Sequence, residues 1–229
     1  MKRSEINKEI KTAKKLFEQI GFKLPGFAFW TPEDWAKKNE IDEIVENRLG
    51  WDVTDYGLNN YDKTGLLLFT VRNGNALKKD KYPKTYAEKL MVCKENQVAP
   101  MHFHWNKKED IINRGKGNLV IILYRSTKDE KLSEKKLFAS IDGVKKKFSG
   151  GEKIILEPGE SIFIEPFMYH SFYGLSGTGP VVLGEVSEVN DDENDNRFLD
   201  PVGRFPAIEE DEKPLHLLCN EYTKWLNIQ

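Results

Sequence analysis

The chain has 229 residues, enough for one substantial core, and its charge is close to balanced, with 35 lysines and arginines against 37 aspartates and glutamates. That balance argues against a nucleic-acid partner, because a phosphate-binding domain carries a clear basic excess. The two cysteines, Cys93 and Cys219, indicate no disulfide framework, and with neither a signal-peptide core nor a stretch of bilayer length the expected setting is cytoplasmic, with no membrane contact.

Ser4 is expected to cap a helix over residues 5 to 20, where Ile6, Ile10, Ala13, Phe17 and Ile20 recur at helical spacing before Gly21. Thr31-Pro32-Glu33-Asp34 reads as a second helix start, with proline at the first helical position. These elements form a helical extension over residues 1–50, expected to pack on a barrel domain over 51–229 that carries its own C-terminal extension, one structural domain overall. From residue 51 the pattern turns to short strands: 66–71, 88–92, 119–124, 154–156, 162–164 and 181–186 are apolar runs punctuated by glycine, asparagine and proline. Repeated short strands with turn signals predict a mainly β chain, a sandwich or barrel. Lys145-Lys146-Lys147, between Asp142-Gly143 and Ser149-Gly150-Gly151, is the solvated face of a hairpin.

The chemistry concentrates in Pro100-Met-His-Phe-His-Trp-Asn-Lys-Lys-Glu109, answered downstream by His170. Side chains two apart on a strand share a face, so His102 and His104 direct both imidazoles at one ion while Phe103 faces away. Trp105 to Lys108 is polar enough for a turn, which would carry Glu109 to the next antiparallel strand, facing the same cavity, and His170 would close the set from a second hairpin. Three imidazoles and a carboxylate suit a divalent metal ion with open positions for substrate. His216, the remaining histidine, sits in Pro214-Leu-His-Leu-Leu218 and reads as a packing residue. The acidic run Asn190 to Asp195 fails as a calcium loop: counted from Asp192, Arg197 stands where the glycine belongs and Gly203 where the bidentate glutamate belongs. It reads as a solvated loop near the site mouth.

His102, His104, Glu109 and Gly115 resemble the first motif of the cupin superfamily, and Pro158-Gly159 with Pro166 and His170 resemble the second less cleanly. Two longer segments, residues 102–115 and 194–211, resemble more specifically the D-lyxose isomerase family of cupin-type sugar isomerases. The resemblance implies a cupin-type β-barrel, or jelly roll, with N-terminal helices. It also implies a manganese-dependent homodimer that interconverts D-lyxose with D-xylulose and D-mannose with D-fructose. Cobalt, iron and zinc are the alternative ions for such a donor set.

Within that reading the partner is a monosaccharide, and the reaction needs a group to move a proton between C1 and C2 through a cis-enediolate. Glu185 interrupts the apolar run 181–186, where burial should raise its pKa, and is the leading base. Lys107 is placed to stabilise a developing oxyanion; Lys89, Asp191 and Arg204 are candidates to contact the sugar. The rivals are a cupin dioxygenase using non-haem iron and a non-catalytic sugar-binding cupin.

Overall fold

In this computed structural model, residues 1–226 are described. The helices are α1 (Arg3–Gln19), α2 (Pro32–Trp35), α3 (Asp42–Glu46) and α4 (Tyr222–Leu226). The strands begin with β1 (Gly50–Thr54), β2 (Leu66–Arg72), β3 (Tyr86–Cys93), β4 (Ala99–Phe103), β5 (Glu109–Lys116), β6 (Leu119–Ser126) and β7 (Leu132–Ser133). They continue with β8 (Leu137–Ile141), β9 (Val144–Phe148), β10 (Lys153–Leu156), β11 (Ser161–Ile164), β12 (Met168–Gly174), β13 (Val181–Glu188) and β14 (Arg197–Phe198). One sheet has the order β1-β2-β3-β13-β5-β11-β8-β9, and the other runs β10-β6-β12-β4-β14 with β7 beside β6.

The strands at the centre of the first sheet are apolar on both faces because both faces are covered. Leu66 and Leu68 of β2, Met91 of β3 and Leu183 of β13 point between the sheets, where they meet Leu119, Ile121, Leu156 and Phe172 of the second sheet. The alternate residues Leu67, Phe69, Leu90, Val92 and Val182 point outward, onto Ile6, Ile10, Ala13 and Phe17 of α1. Each fully buried side chain of that α1 stripe adds roughly 1.5–3 kcal/mol of burial free energy for the larger members. The predicted strands are therefore all present, and the helical stripe is the contact surface of α1.

Helix α1 begins two residues earlier than expected, and Ser4 is not its cap. The Glu5 side chain accepts from the Lys2 amide at 2.7 Å, while Ser4 donates its hydroxyl to Asp211 at 2.7 Å. Next to it, Arg3 is fully buried and reaches Glu210 and Glu221, residues 207 and 218 positions further on. The Thr31 cap of α2 is as expected, with Asp34 returning the bond to the Thr31 amide at 3.0 Å.

A second difference concerns β4 and β5. They do not pair as a hairpin; they lie in different sheets, and residues 104–108 carry the chain across the gap between them. Strand β4 pairs instead with β12, placing His170 directly opposite His102. Gly115 sits at φ +134° beside a register shift between β5 and β13, a backbone setting that suits glycine. The lysine-rich β9 is the hairpin partner of β8 and lies at one edge of its sheet.

Candidate metal centre

The parity that sends Leu183 and Met91 between the sheets also sends Glu185 and Lys89 there, and these two stand opposite each other in the β13–β3 pairing. Ile111 of β5 points inward, so Glu109 does too. From the facing sheet come His102 and His170, with ring centroids 4.1 Å apart, and His104 just past the end of β4. Phe103 faces away and packs on Trp105, Phe167 and Tyr169. The nitrogen atoms that His102, His104 and His170 offer lie within 4.8 Å of one another.

Each imidazole has a backbone carbonyl at its Nδ1: Pro100 O at 2.8 Å for His102, Asp195 O at 2.8 Å for His104 and Met168 O at 3.0 Å for His170. A carbonyl only accepts, so Nδ1 carries a proton, and in the neutral ring Nε2 keeps its lone pair. Burial pushes the His102 imidazole well below its ordinary pKa, with His170 and His104 adding to the effect. Burial also lowers His104, and the Lys107 charge reinforces it. Both rings are thus held in the neutral form that ligates metals.

Glu109 completes the arrangement. Its Oε2 accepts from Lys107 at 2.8 Å, while Oε1 is shielded from solvent, has no hydrogen-bond donor among the described residues, and lies 3.5 Å from His104 Nε2 and 3.1 Å from His170 Nε2. Burial alone would raise the Glu109 carboxyl, but the charges of Lys107 and its neighbours hold it well below the ordinary range. An anionic oxygen aimed at two nitrogen lone pairs is repulsive on its own and becomes attractive around a cation. The donor set, three imidazoles and a carboxylate, fits a divalent ion of the kind expected from the sequence.

Behind the imidazoles lies a chain of paired charges. Lys107 bridges Glu109 at 2.8 Å and Glu185 at 2.9 Å; Lys89 approaches Glu185 at 3.3 Å. The expectation of a raised Glu185 pKa is corrected here. Burial does push that carboxyl up, but Lys107 and Lys89 outweigh it and hold it below its ordinary value. Glu185 is therefore an ionised carboxylate with three donors, since Ser187 Oγ also donates to it at 2.9 Å. Burial opposes charge on Lys107, yet Glu109 and Glu185 keep it protonated.

Arg204 pairs with Asp52 and, at 3.2 Å, with Asp192, so the structural ion-pair role is realised while its side chain still lines the cavity. The cavity has a volume of about 70 Å³; its inner wall is apolar, from Leu66, Leu68, Met91 and Ile111, and Tyr56 and Phe198 also line it. Asp191 does not line it. That carboxylate turns back on the amides of Glu193 and Asn194 and borders a neighbouring cavity of about 250 Å³, and Asp192 is the residue that faces the imidazoles' side.

Sequence reasoning missed three residues of the loop after β13, having read it as solvated. Asn190 accepts from both Lys89 and Lys107, Asp192 from Arg204, and Asp195 holds the segment after His104. Their only signal was proximity to the motif that follows. His216 is a packing residue, as expected: it stacks on Trp51, donates Nδ1–H to Trp30 O at 2.9 Å and meets Lys14 at Nε2.

Comparison with known proteins gives a consistent result. A family model described as D-lyxose isomerase matches residues 1–222. A protein of Serratia proteamaculans called D-lyxose/D-mannose isomerase is 46% identical over 228 residues, 99% of this chain and 100% of that one. A protein of the same name from Escherichia coli O157:H7 is 46% identical over 227 residues, 98% of this chain and all of that one. Among solved structures, the ligand-free L-ribose isomerase of Cellulomonas parahominis superposes with a TM-score of 0.61 at 13% identity, covering 91% of this chain and 98% of that one, a likeness of fold.

Proposed function

The chain belongs to the D-lyxose isomerase family, and from that premise we propose which sugars it converts and which residues do the work. It is a cupin-type aldose–ketose isomerase; the dioxygenase and sugar-binding readings are not favoured. Its substrates in this reading are D-lyxose, giving D-xylulose, and D-mannose, giving D-fructose, the activities named in its relatives at 46% identity.

His102, His104, Glu109 and His170 hold one divalent ion, manganese, in this proposal. The support is the grouping of the three imidazole nitrogens within 4.8 Å of one another, beside a buried Glu109 oxygen that has no donor among the described residues. When bound, such an ion supplies a Lewis acid that draws electron density from neighbouring sugar oxygens. The remaining steps belong to side chains. Glu185, ionised between two lysines, takes the proton from C2 of the open-chain aldose and returns it to C1, while the O2 hydroxyl proton passes to O1. Lys107 presents its ammonium to the negative charge that develops in the cis-enediolate, and as the proton arrives on Glu185 it keeps that carboxyl from drifting out of place. Lys89, Arg204 and Asp192 contact the sugar hydroxyls, and the apolar wall excludes water from the exchange.

The observation that carries this function is the salt bridge from Lys107 to Glu185 at 2.9 Å, beside the metal-binding face of Glu109. It joins an acid–base pair to a Lewis-acid site in one cavity. The direct test is incubation of the purified, manganese-loaded protein with D-mannose and with D-lyxose, with chromatography for fructose and xylulose; absence of both ketoses would reject the assignment.

We assign the enzyme to the cytoplasm as a homodimer. In support of the location, no described helix is long and apolar enough to cross a membrane; the dimer follows from the family resemblance.

A further inference from the structure

Two of the three imidazoles are aimed by their own strands, and the third is not. His102 and His170 each donate Nδ1–H to the carbonyl two residues back. His104 lies outside β4, and its Nδ1–H reaches the carbonyl of Asp195, 91 residues away. The same residue also uses its side chain. Asp195 Oδ1 accepts from the Asn106 amide at 2.8 Å and from Asn106 Nδ2 at 2.9 Å, and Oδ2 accepts from the Lys107 amide at 2.9 Å. Asp195 is 6% exposed; its bond to the Lys107 amide is buried, and the two to Asn106 are partly buried.

We propose that Asp195 is a positioning residue that assembles the metal centre, aiming His104 through its carbonyl and seating Lys107 against Glu109 and Glu185 through its carboxylate. The inference rests on the metal-dependent isomerase reading above. A histidine ring chooses its tautomer and orientation by the bond its second nitrogen makes, and loss of such a partner costs tenfold to a hundredfold in metal affinity. The crossing segment 104–108 belongs to neither sheet, so the sheet ladders do not hold His104 or Lys107 in place. Asp195 supplies what the ladders lack. Removing its carboxylate leaves the buried Lys107 amide and two partly buried N–H groups of Asn106 without their acceptor, which lets the segment and the Asp195 backbone relax together. One residue thus couples metal affinity to the placement of the acid that meets the substrate.

The test is a thermodynamic cycle read by manganese(II) titrated into metal-free protein. Asp195→Ala should weaken binding tenfold to a hundredfold in the otherwise native protein and by a similar factor with His102→Ala present. With His104→Ala present it should weaken binding by a clearly smaller factor, because the ring that Asp195 aims is gone and only the seating of Lys107 against Glu109 remains. Asp195→Asn should recover part of the affinity, since an amide oxygen can still accept from Asn106. At saturating manganese, kcat of Asp195→Ala should remain at least tenfold low while KM changes less. Should Asp195→Ala not fold, Asp195→Asn carries the same cycle with smaller factors. Native affinity in Asp195→Ala, or an equal loss in the His102→Ala and His104→Ala backgrounds, would overturn the proposal. A native protein that binds manganese yet makes no ketose would overturn the functional reading while leaving the metal cycle decisive for Asp195.

Discussion

His102 and His170 stand in direct register on neighbouring antiparallel strands, and their rings are 4.1 Å apart. Two imidazoles this close are rigid donors, because both rings are tied to carbonyls of their own strands. Alanine at His102, His104, Glu109 or His170 should lower metal content and activity together, by at least tenfold in affinity for each. Metal analysis of the four purified variants checks this; native stoichiometry in all four would remove the assignment.

Chelation followed by reconstitution should restore turnover best with manganese(II). Zinc or copper binds a nitrogen-rich site more tightly by the usual affinity order, so tightness and rate should part company across the series. Metal-free enzyme revived by zinc but inert with manganese would contradict the proposed ion.

D-Lyxose and D-mannose should be turned over well, and D-xylose and D-glucose poorly. The first two share their configuration at C2, so a fixed Glu185 meets the same hydrogen in both, whereas the C2 epimers present it to the opposite face. Comparison of kcat/KM for the four sugars is the measurement, and parity between mannose and glucose would refute the argument.

Conversion of mannose in deuterium oxide should place deuterium at C1 of the fructose formed, because a proton resting on Glu185 can exchange before its return. Glu185→Gln should lose roughly a hundredfold or more in kcat while keeping its metal. Full activity in that variant would take Glu185 out of the mechanism.

His216 predicts a dependence of stability on pH. Burial lowers its pKa below the ordinary 6.5, although its bond to the Trp30 carbonyl favours the charged form. The unfolded chain therefore takes up the proton first, so stability falls as pH drops below about 6.5 and stops falling below the folded pKa. His216→Gln should flatten this decline by at most about 1.4 kcal/mol per pH unit within that window. Urea unfolding of both proteins at pH 7.5 and 5.5 measures it; the metal-centre histidines are common to both and cancel. Equal slopes would show that His216 titrates alike in both states.

The strands were legible because their apolar runs are long enough to be covered on both faces, as Leu66 to Val71 shows. The grouping of His102, His104, Glu109 and His170 was legible from local spacing plus one distant histidine. Sheet membership was not: whether residues 104–108 make a hairpin or a crossing depends on β12 and β13 pairing with β4 and β5, and those partners lie far along the chain. The direction of the Glu185 shift was misread for a similar reason. Burial was visible in its apolar neighbours, but the lysines that overrule burial, Lys89 and Lys107, arrive from other segments. Asp195 was hidden because an aspartate within a run of aspartates and asparagines looks like one more solvated side chain.

The buried Arg3 ties helix α1 to carboxylates that are synthesised long after it. Docking α1 before Glu210 and Glu221 are available would bury an unpaired guanidinium, at a penalty of several kcal/mol that its apolar stripe must offset. On the ribosome, then, the helix made first is among the last pieces to settle, and the outer face of the β1–β2–β3 sheet waits for it. During that interval Leu67, Phe69 and Leu90 are open to solvent, which marks this face as the point where a chaperone or an aggregating neighbour would engage the nascent protein.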